Sequence, residues 1–167
     1  MKKNYELVGI EVPIFMNIQE GVQLKSFLDV VLRNKISGRI TIIDLKTATR
    51  GWTNYQKKDF YKKSQLLMYK QFYSEQYNHP VDKIEVEYFI VKRKLWENTD
   101  FPQKRVQKFV PASGKPSMNK VNTRLLNFVD NAFTEQGEHK NDMKATPSKK
   151  ACKWCEFRKT EYCSEGV

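Results

Sequence analysis

Two aspartates and a lysine stand where charged side chains are costly. Asp29 lies inside the apolar run FLDVVL, residues 27–32, and Asp44 ends the β-branched run ITII, residues 40–43, with Lys46 two positions later. An ionised group in a buried strand must be paired. The turn-forming stretch NKISG, residues 34–38, separates the two runs; Asp29 lies five residues before Asn34 and Asp44 six after Gly38. A hairpin centred there makes the aspartates cross-strand partners, with Cβ atoms about 4.5–5.5 Å apart. Side chains at i and i+2 share a strand face, so Lys46 joins Asp44. Like charges directly opposed need a proton or a cation between them. Two carboxylates, a backbone carbonyl and water suit a hard divalent ion, Mg²⁺ or Mn²⁺. The alternative is a plain ion pair, in which Lys46 neutralises one aspartate and the other is solvated.

The elements that would position this group read as follows. Residues 5–16 and 22–33 are strands, joined by a polar turn at 17–21, and residues 38–47 form a third strand, giving an antiparallel meander. Residues 63–77 carry Leu66, Tyr69, Tyr73 and Tyr77 at helical spacing, and Pro80 ends the helix. Residues 83–92 alternate as a fourth strand, and residues 103–110 suit a short edge strand. After Pro116, with Ser117 as N-cap, Val121, Leu125, Phe128, Val129, Ala132 and Phe133 share a helix face. The order βββαβ followed by a helix is α/β with a mixed sheet. Residues 1–136 are expected to be one core, 137–150 a polar linker, and 151–167 a cysteine-containing tail.

Lysine and arginine exceed acidic residues by 30 to 19, a net charge of +11, which favours polyanionic partners and nucleic acid above all. No apolar run approaches the roughly 20 residues needed to span a bilayer. No signal peptide opens the chain, so an intracellular, cytoplasmic protein is expected.

The ordered set Asp29, then Asp44-Leu45-Lys46-Thr47, then Gln65 and Tyr69 resembles the D, D-x-K-T and Q-x-x-x-Y motifs of the PD-(D/E)xK nuclease superfamily. It is most similar to the RecB-like branch, which includes the CRISPR-adaptation exonucleases. The resemblance covers residues 5 to about 92, lacks the branch's glycine before Asp29, and would leave the chain without the branch's N-terminal helices. It implies a restriction-endonuclease-like core in the cytoplasm of a bacterial or phage-infected cell, and Mg²⁺- or Mn²⁺-dependent hydrolysis of DNA phosphodiesters of exonuclease, repair, recombination or phage type. Asp29, Asp44 and the Leu45 carbonyl would hold the metal, and Lys46 would orient or deprotonate the attacking water. Gln65 would orient water or phosphate, and Tyr69 would contact the DNA backbone. Glu11, on the preceding strand, would be a further ligand or would support one.

Around this set, Lys57, Lys58, Lys62 and Lys63 suit a phosphate track, and Arg50 and Trp52 follow the D-x-K-T strand end where a substrate strand would pass. Their bland reading is a solvated basic loop with a tryptophan tucked onto the sheet; Trp96, after Lys92, Arg93 and Lys94, invites the same two readings. In the tail, Cys152, Cys155 and Cys163 form C-x2-C-x7-C. Three readings stay open: part of an iron–sulfur site, as the resemblance implies; zinc, with His139 as fourth ligand; or three reduced thiols. The alternative function is a catalytically weak nucleic-acid-binding module of the same fold, within a helicase–nuclease or recombination assembly. A zinc-binding adaptor would rest on the tail alone.

Overall fold

The protein is described here by a computed structural model covering residues 4–140 and 146–167. The middle of the expected linker, residues 141–145, lies outside the described residues. Five strands form one sheet in sequence order: β1 Tyr5–Gln19, β2 Val22–Asn34, β3 Ile40–Ala48, β4 Ile84–Lys92 and β5 Val106–Phe109. β1, β2 and β3 make the expected antiparallel meander; β4 runs parallel to β3, and β5 is antiparallel to β4. Between β3 and β4 come a short helix α1, Asn54–Lys58, the long helix α2, Phe60–Gln76, and a single 3-10 turn. Helix α3, Lys115–Ala132, packs on α2, and a four-residue helix α4, Lys149–Cys152, opens the tail. This mixed sheet with flanking helices is the restriction-endonuclease-like α/β arrangement.

One sheet face holds the core. Ile14, Leu28, Val31, Ile40, Ile42, Ile84, Val86, Tyr88 and Ile90 pack against Trp52 and the α2 side chains Leu66, Tyr69, Phe72 and Tyr73. The opposite face stays open, with Phe27, Leu45 and Val91 exposed.

The β2–β3 turn follows its sequence. Asn34 Oδ1 accepts hydrogen bonds from the N–H groups of Ile36 and Ser37 at 3.0 and 3.1 Å, an Asx-type closure. Gly38 supplies the positive φ of 68° that the turn requires.

Helix boundaries differ from the sequence expectation because caps decided them. α2 begins three residues early, at Phe60, since the Asp59 carboxylate accepts from the N–H groups of Tyr61 and Lys62. α1 was not expected. It starts at a capping box in which Thr53 and Gln56 bond each other's backbone, a T-x-x-Q pattern present in the sequence. α3 is capped by Gly114 rather than Ser117, with Pro116 in its first turn. Phe128 is 59% exposed, so it leaves the face shared by Val121, Val129 and Ala132.

The expected linker begins as ordered structure. Thr134 N–H donates to the Glu138 carbonyl at 2.8 Å and Lys140 N–H to the Ala132 carbonyl at 2.9 Å, closing a hairpin after α3. Gly137, at φ 82°, sits against the β1–β2 turn so closely that an added Cβ would lie 2.6 Å from Gly21 Cα. Gly137→Ala therefore meets both a left-handed backbone and a backbone clash. It should cost about 1–3 kcal/mol and lower Tm by roughly 2–10 °C in a thermal melt.

Candidate active site

The site begins with β3 parity. Ile40 and Ile42 are buried on the core face, and Asp44 follows on the same face, 1% exposed. Lys46 Nζ approaches Asp44 Oδ2 to 2.5 Å, and the lysine side chain is 34% exposed. The pair is thus a close contact between a buried carboxylate and a partly exposed ammonium. Burial pushes the Asp44 carboxyl above its usual range; Lys46 opposes the shift, and the Asp29 carboxylate adds to it.

The β2–β3 pairing runs from Arg33↔Ile40 to Val30↔Ile43 and stops one step short of Asp29 and Asp44. Leu28 and Val31, three positions apart, both lie in the core. Strict alternation on β2 therefore breaks between them, at Asp29 and Val30. Beyond the last paired residue the Asp29 carboxylate replaces a backbone acceptor: Leu45 N–H donates to Asp29 Oδ2 at 2.6 Å. Asp29, Asp44 and the Leu45 peptide thus converge at one point.

Glu11 lies on β1, the strand before the one that bears Asp29. The β1–β2 register places it opposite Asp29, but it has φ 50° and is exposed, and it marks a kink in β1. Among the described residues, no three His, Cys, Asp or Glu side chains gather closely enough to hold a metal by themselves. Asp29 and Asp44 are two carboxylates beside the Leu45 peptide, and with the Leu45 carbonyl they would make a set that fits a hard cation keeping several waters. The Lys46 ammonium, 2.5 Å from Asp44 Oδ2, holds the place such a cation would take.

Beside the acids lies a groove of about 350 Å³ lined by Lys46, Thr47, Trp52, Tyr61, Lys62 and Gln65. Gln65 Nε2 donates to the Tyr69 hydroxyl at 2.8 Å. The expected pair is therefore a positioning contact, one helical turn apart, that holds the amide at the groove wall. Tyr69 itself is buried in the core.

Trp52 likewise belongs to the core at 8% exposure, its ring 4.8 Å from that of Tyr88, and Gln107 bonds both its N–H and its carbonyl. Stacking of bases on Trp52 is not what this burial supports. Trp52→Ala should cost about 3–5 kcal/mol in denaturant unfolding and collapse the groove. Lys62 Nζ lies 5.2 Å over the Trp52 ring and faces the groove. Lys58, in α1, is exposed and outside the groove lining, and Arg50 stacks on Trp96 instead.

Tyr88 escaped the sequence reading. It is fully buried, directly opposite Asp44 in the parallel β3–β4 register, and donates to the Lys62 carbonyl. Its ring lies 5.9 Å from Lys46 Nζ. Burial, with Asp44 nearby, holds the phenol protonated far above its ordinary range. Tyr88 thereby links the strand bearing the acids to the helix bearing Lys62 and Gln65.

Among the described residues the tail cysteines do not gather into a group of three metal ligands. Cys152 is buried, Cys155 exposed and Cys163 half-buried, and no three of the described cysteines and histidines converge. His139 packs on Phe133 at 4.8 Å. The expected iron–sulfur or zinc site, including zinc shared with His139, finds no support in this geometry. Lys150 instead pairs with Asp59 at 3.2 Å, which ties the tail to the start of α2.

Comparison with known proteins follows the same line. No curated protein matches the chain. A solved structure titled "Crystal structure of SSO0001" is 17% identical, with a TM-score of 0.46, over 93% of this chain and 59% of that one. The chain thus spans 59% of that structure's length. The model of the PD-(D/E)XK nuclease superfamily matches residues 1–161, which takes in all five strands, the acid pair and its lysine. A match of that extent, on a fold that carries the motif residues together, shows that the chain belongs to the PD-(D/E)XK nuclease superfamily.

Proposed function

We propose that this chain is a nuclease of the RecB-like branch that hydrolyses DNA phosphodiester bonds with Mg²⁺ or Mn²⁺, in an exonucleolytic, repair, recombination or phage setting. One observation supports the reading: the buried Asp44 carboxylate, paired with Lys46 at 2.5 Å, lies beside Asp29, which is bonded to the Leu45 N–H. Residues 1–136 carry this chemistry, with the cysteine tail accessory to it.

A bound divalent cation would lower the pKa of a water and neutralise charge on the leaving oxygen. The chain's own groups do the rest. Asp29 and Asp44 supply the negative charge that selects a hard cation, and Asp29, bonded to Leu45 N–H, is held in place for it. Lys46, partly exposed in the groove, orients the attacking water and offsets charge accumulating on the phosphate. Gln65, steadied by Tyr69, presents its amide to water or phosphate. Lys62 draws the strand's phosphates to the groove.

The same 2.5 Å contact of Lys46 with Asp44 also favours a second reading, in which the pair neutralises itself and the fold only binds nucleic acid. Labelled single- and double-stranded DNA, incubated with Mg²⁺, Mn²⁺ or EDTA, separates the two. Cleavage in metal, absent in EDTA and lost in Asp29→Asn, supports the nuclease. Binding without cleavage in either metal supports the module.

A further inference from the structure

Trp96 is a large apolar side chain left in solvent, 58% exposed, on a pinned stretch of backbone. Its backbone N–H donates to Gln103 Oε1 at 2.8 Å, and its backbone carbonyl accepts from Gln103 Nε2 at 2.7 Å. The Arg50 guanidinium lies 3.8 Å from the ring centroid. Arg105 Nη1 donates to the carbonyls of Lys92 and Arg93 at 3.2 and 3.1 Å, bracing the same loop from below. Ordering an indole without burying it costs conformational freedom and returns little hydrophobic stabilisation. One ring face is covered by a cation, and the exposure leaves the other open.

The surroundings say what fits there. Arg50, Arg93, Lys94, Lys104 and Arg105 outnumber the two acids of the loop, Glu97 and Asp100. Phe101, also exposed, lies in the same loop. The loop follows β4 and stays paired with the end of β3, the strand that bears Asp44: Arg93 N–H donates to the Ala48 carbonyl and Lys94 N–H to the Thr49 carbonyl, at 2.9 and 2.7 Å, extending the β3–β4 ladder past its last paired residues. From Asp44 to Ala48 is about 13 Å of strand at the usual rise. A polyanion crossing the groove by Thr47 and Trp52 would therefore meet this surface next.

We propose that Trp96, backed by Arg50, is a stacking platform for an unpaired base of a single-stranded nucleic acid passing the acid pair. The proposal rests on the nuclease reading for its substrate class and adds the strand state. Bases within a duplex already stack on their neighbours and present no free face. A platform of this kind selects a strand whose bases are unpaired, while the surrounding cations engage phosphates without regard to sequence.

The test uses the full chain in EDTA with a fluorescein-labelled oligo-dT, a labelled blunt hairpin duplex, and oligo-dT carrying one abasic position scanned along its length. Trp96→Ala should weaken oligo-dT binding about tenfold and duplex binding less than twofold. Trp96→Phe should retain most oligo-dT affinity. The wild type should lose affinity when one particular base is missing, and Trp96→Ala should not register that loss. Trp154→Ala, in the tail, should match the wild type, and matching thermal melts show that each variant is folded. Oligo-dT affinity within twofold of wild type in Trp96→Ala would overturn the platform, as would equal losses on duplex and single strand, or equal losses in Trp96→Phe and Trp96→Ala. Cleavage by the wild type in Mn²⁺ is read separately. Its absence, with the Trp96 pattern intact, would overturn the nuclease reading and leave the platform standing.

Discussion

Asp44→Asn should abolish metal-dependent cleavage, with the rate down at least about a thousandfold, and yet melt at a higher temperature than the wild type when both are stripped of metal at pH 7. The activity loss follows because the amide cannot supply the charge that a hard cation needs. The stability gain follows from burial. Asp44 is 1% exposed, and desolvation raises its pKa above the ordinary 3.8. The sign is then fixed by linkage. A folded-state pKa above the unfolded one means the fold binds the proton more tightly than the unfolded chain. The stability that this proton contributes is present in full below 3.8 and lost as pH rises through the raised value. Above the raised value the wild type carries an ionised, desolvated carboxylate that Lys46 offsets only in part, and the asparagine variant does not. The difference in Tm should therefore shrink as pH is lowered through the raised value towards 4. A scan of Tm against pH for the two proteins in EDTA checks it. A variant less stable than wild type at pH 7 would show that Lys46 compensates Asp44 fully.

Lys46→Ala separates the lysine's two tasks. Cleavage should fall about 100- to 1,000-fold, the usual consequence of removing one group that stabilises developing charge. Without metal the variant should lose about 2 kcal/mol, because a buried carboxylate is left unpaired. That is less than breaking a fully buried pair costs, since Lys46 keeps a third of its surface in water. Mn²⁺ should restore the lost stability and bind more tightly than to wild type, because no ammonium competes for Asp44 Oδ2. Thermal melts over a Mn²⁺ titration read both effects, since a ligand that binds only the fold stabilises it by an amount that grows with the logarithm of its concentration over its Kd. Mn²⁺ binding weakened by the substitution would mean that Lys46 helps to build the cation site rather than occupying its place.

Local chemistry carried most of what could be read in advance. The turn residues Asn34 and Gly38 set the β2–β3 register, which carries the pairing to within one step of Asp29 and Asp44. Apolar runs marked all five strands and two of the helices. Contributions from distant segments were not legible. Tyr88 occupies an ordinary inward position in KIEVEYFIVK, and only the parallel pairing of β3 with β4 sets it beside the acids. Trp52 and Tyr69 carry aromatic rings near the motifs, which suits DNA contact and core packing equally, and packing against Tyr88 and the sheet decided for the core. Glu11 lies at the expected strand position, but its positive φ depends on how β1 kinks, which no pattern of residue types encodes. The cysteine spacing suited a metal centre, but the fold does not bring the three thiols together.

The central claim is that Asp29 and Asp44 jointly hold a divalent cation, and a crystal soaked in Mn²⁺ tests it most directly. An anomalous difference peak is expected within about 2.5 Å of a carboxylate oxygen from each aspartate, with Lys46 displaced from Asp44 Oδ2. A soaked crystal with no peak there, and with Lys46 still closed on Asp44, would contradict it.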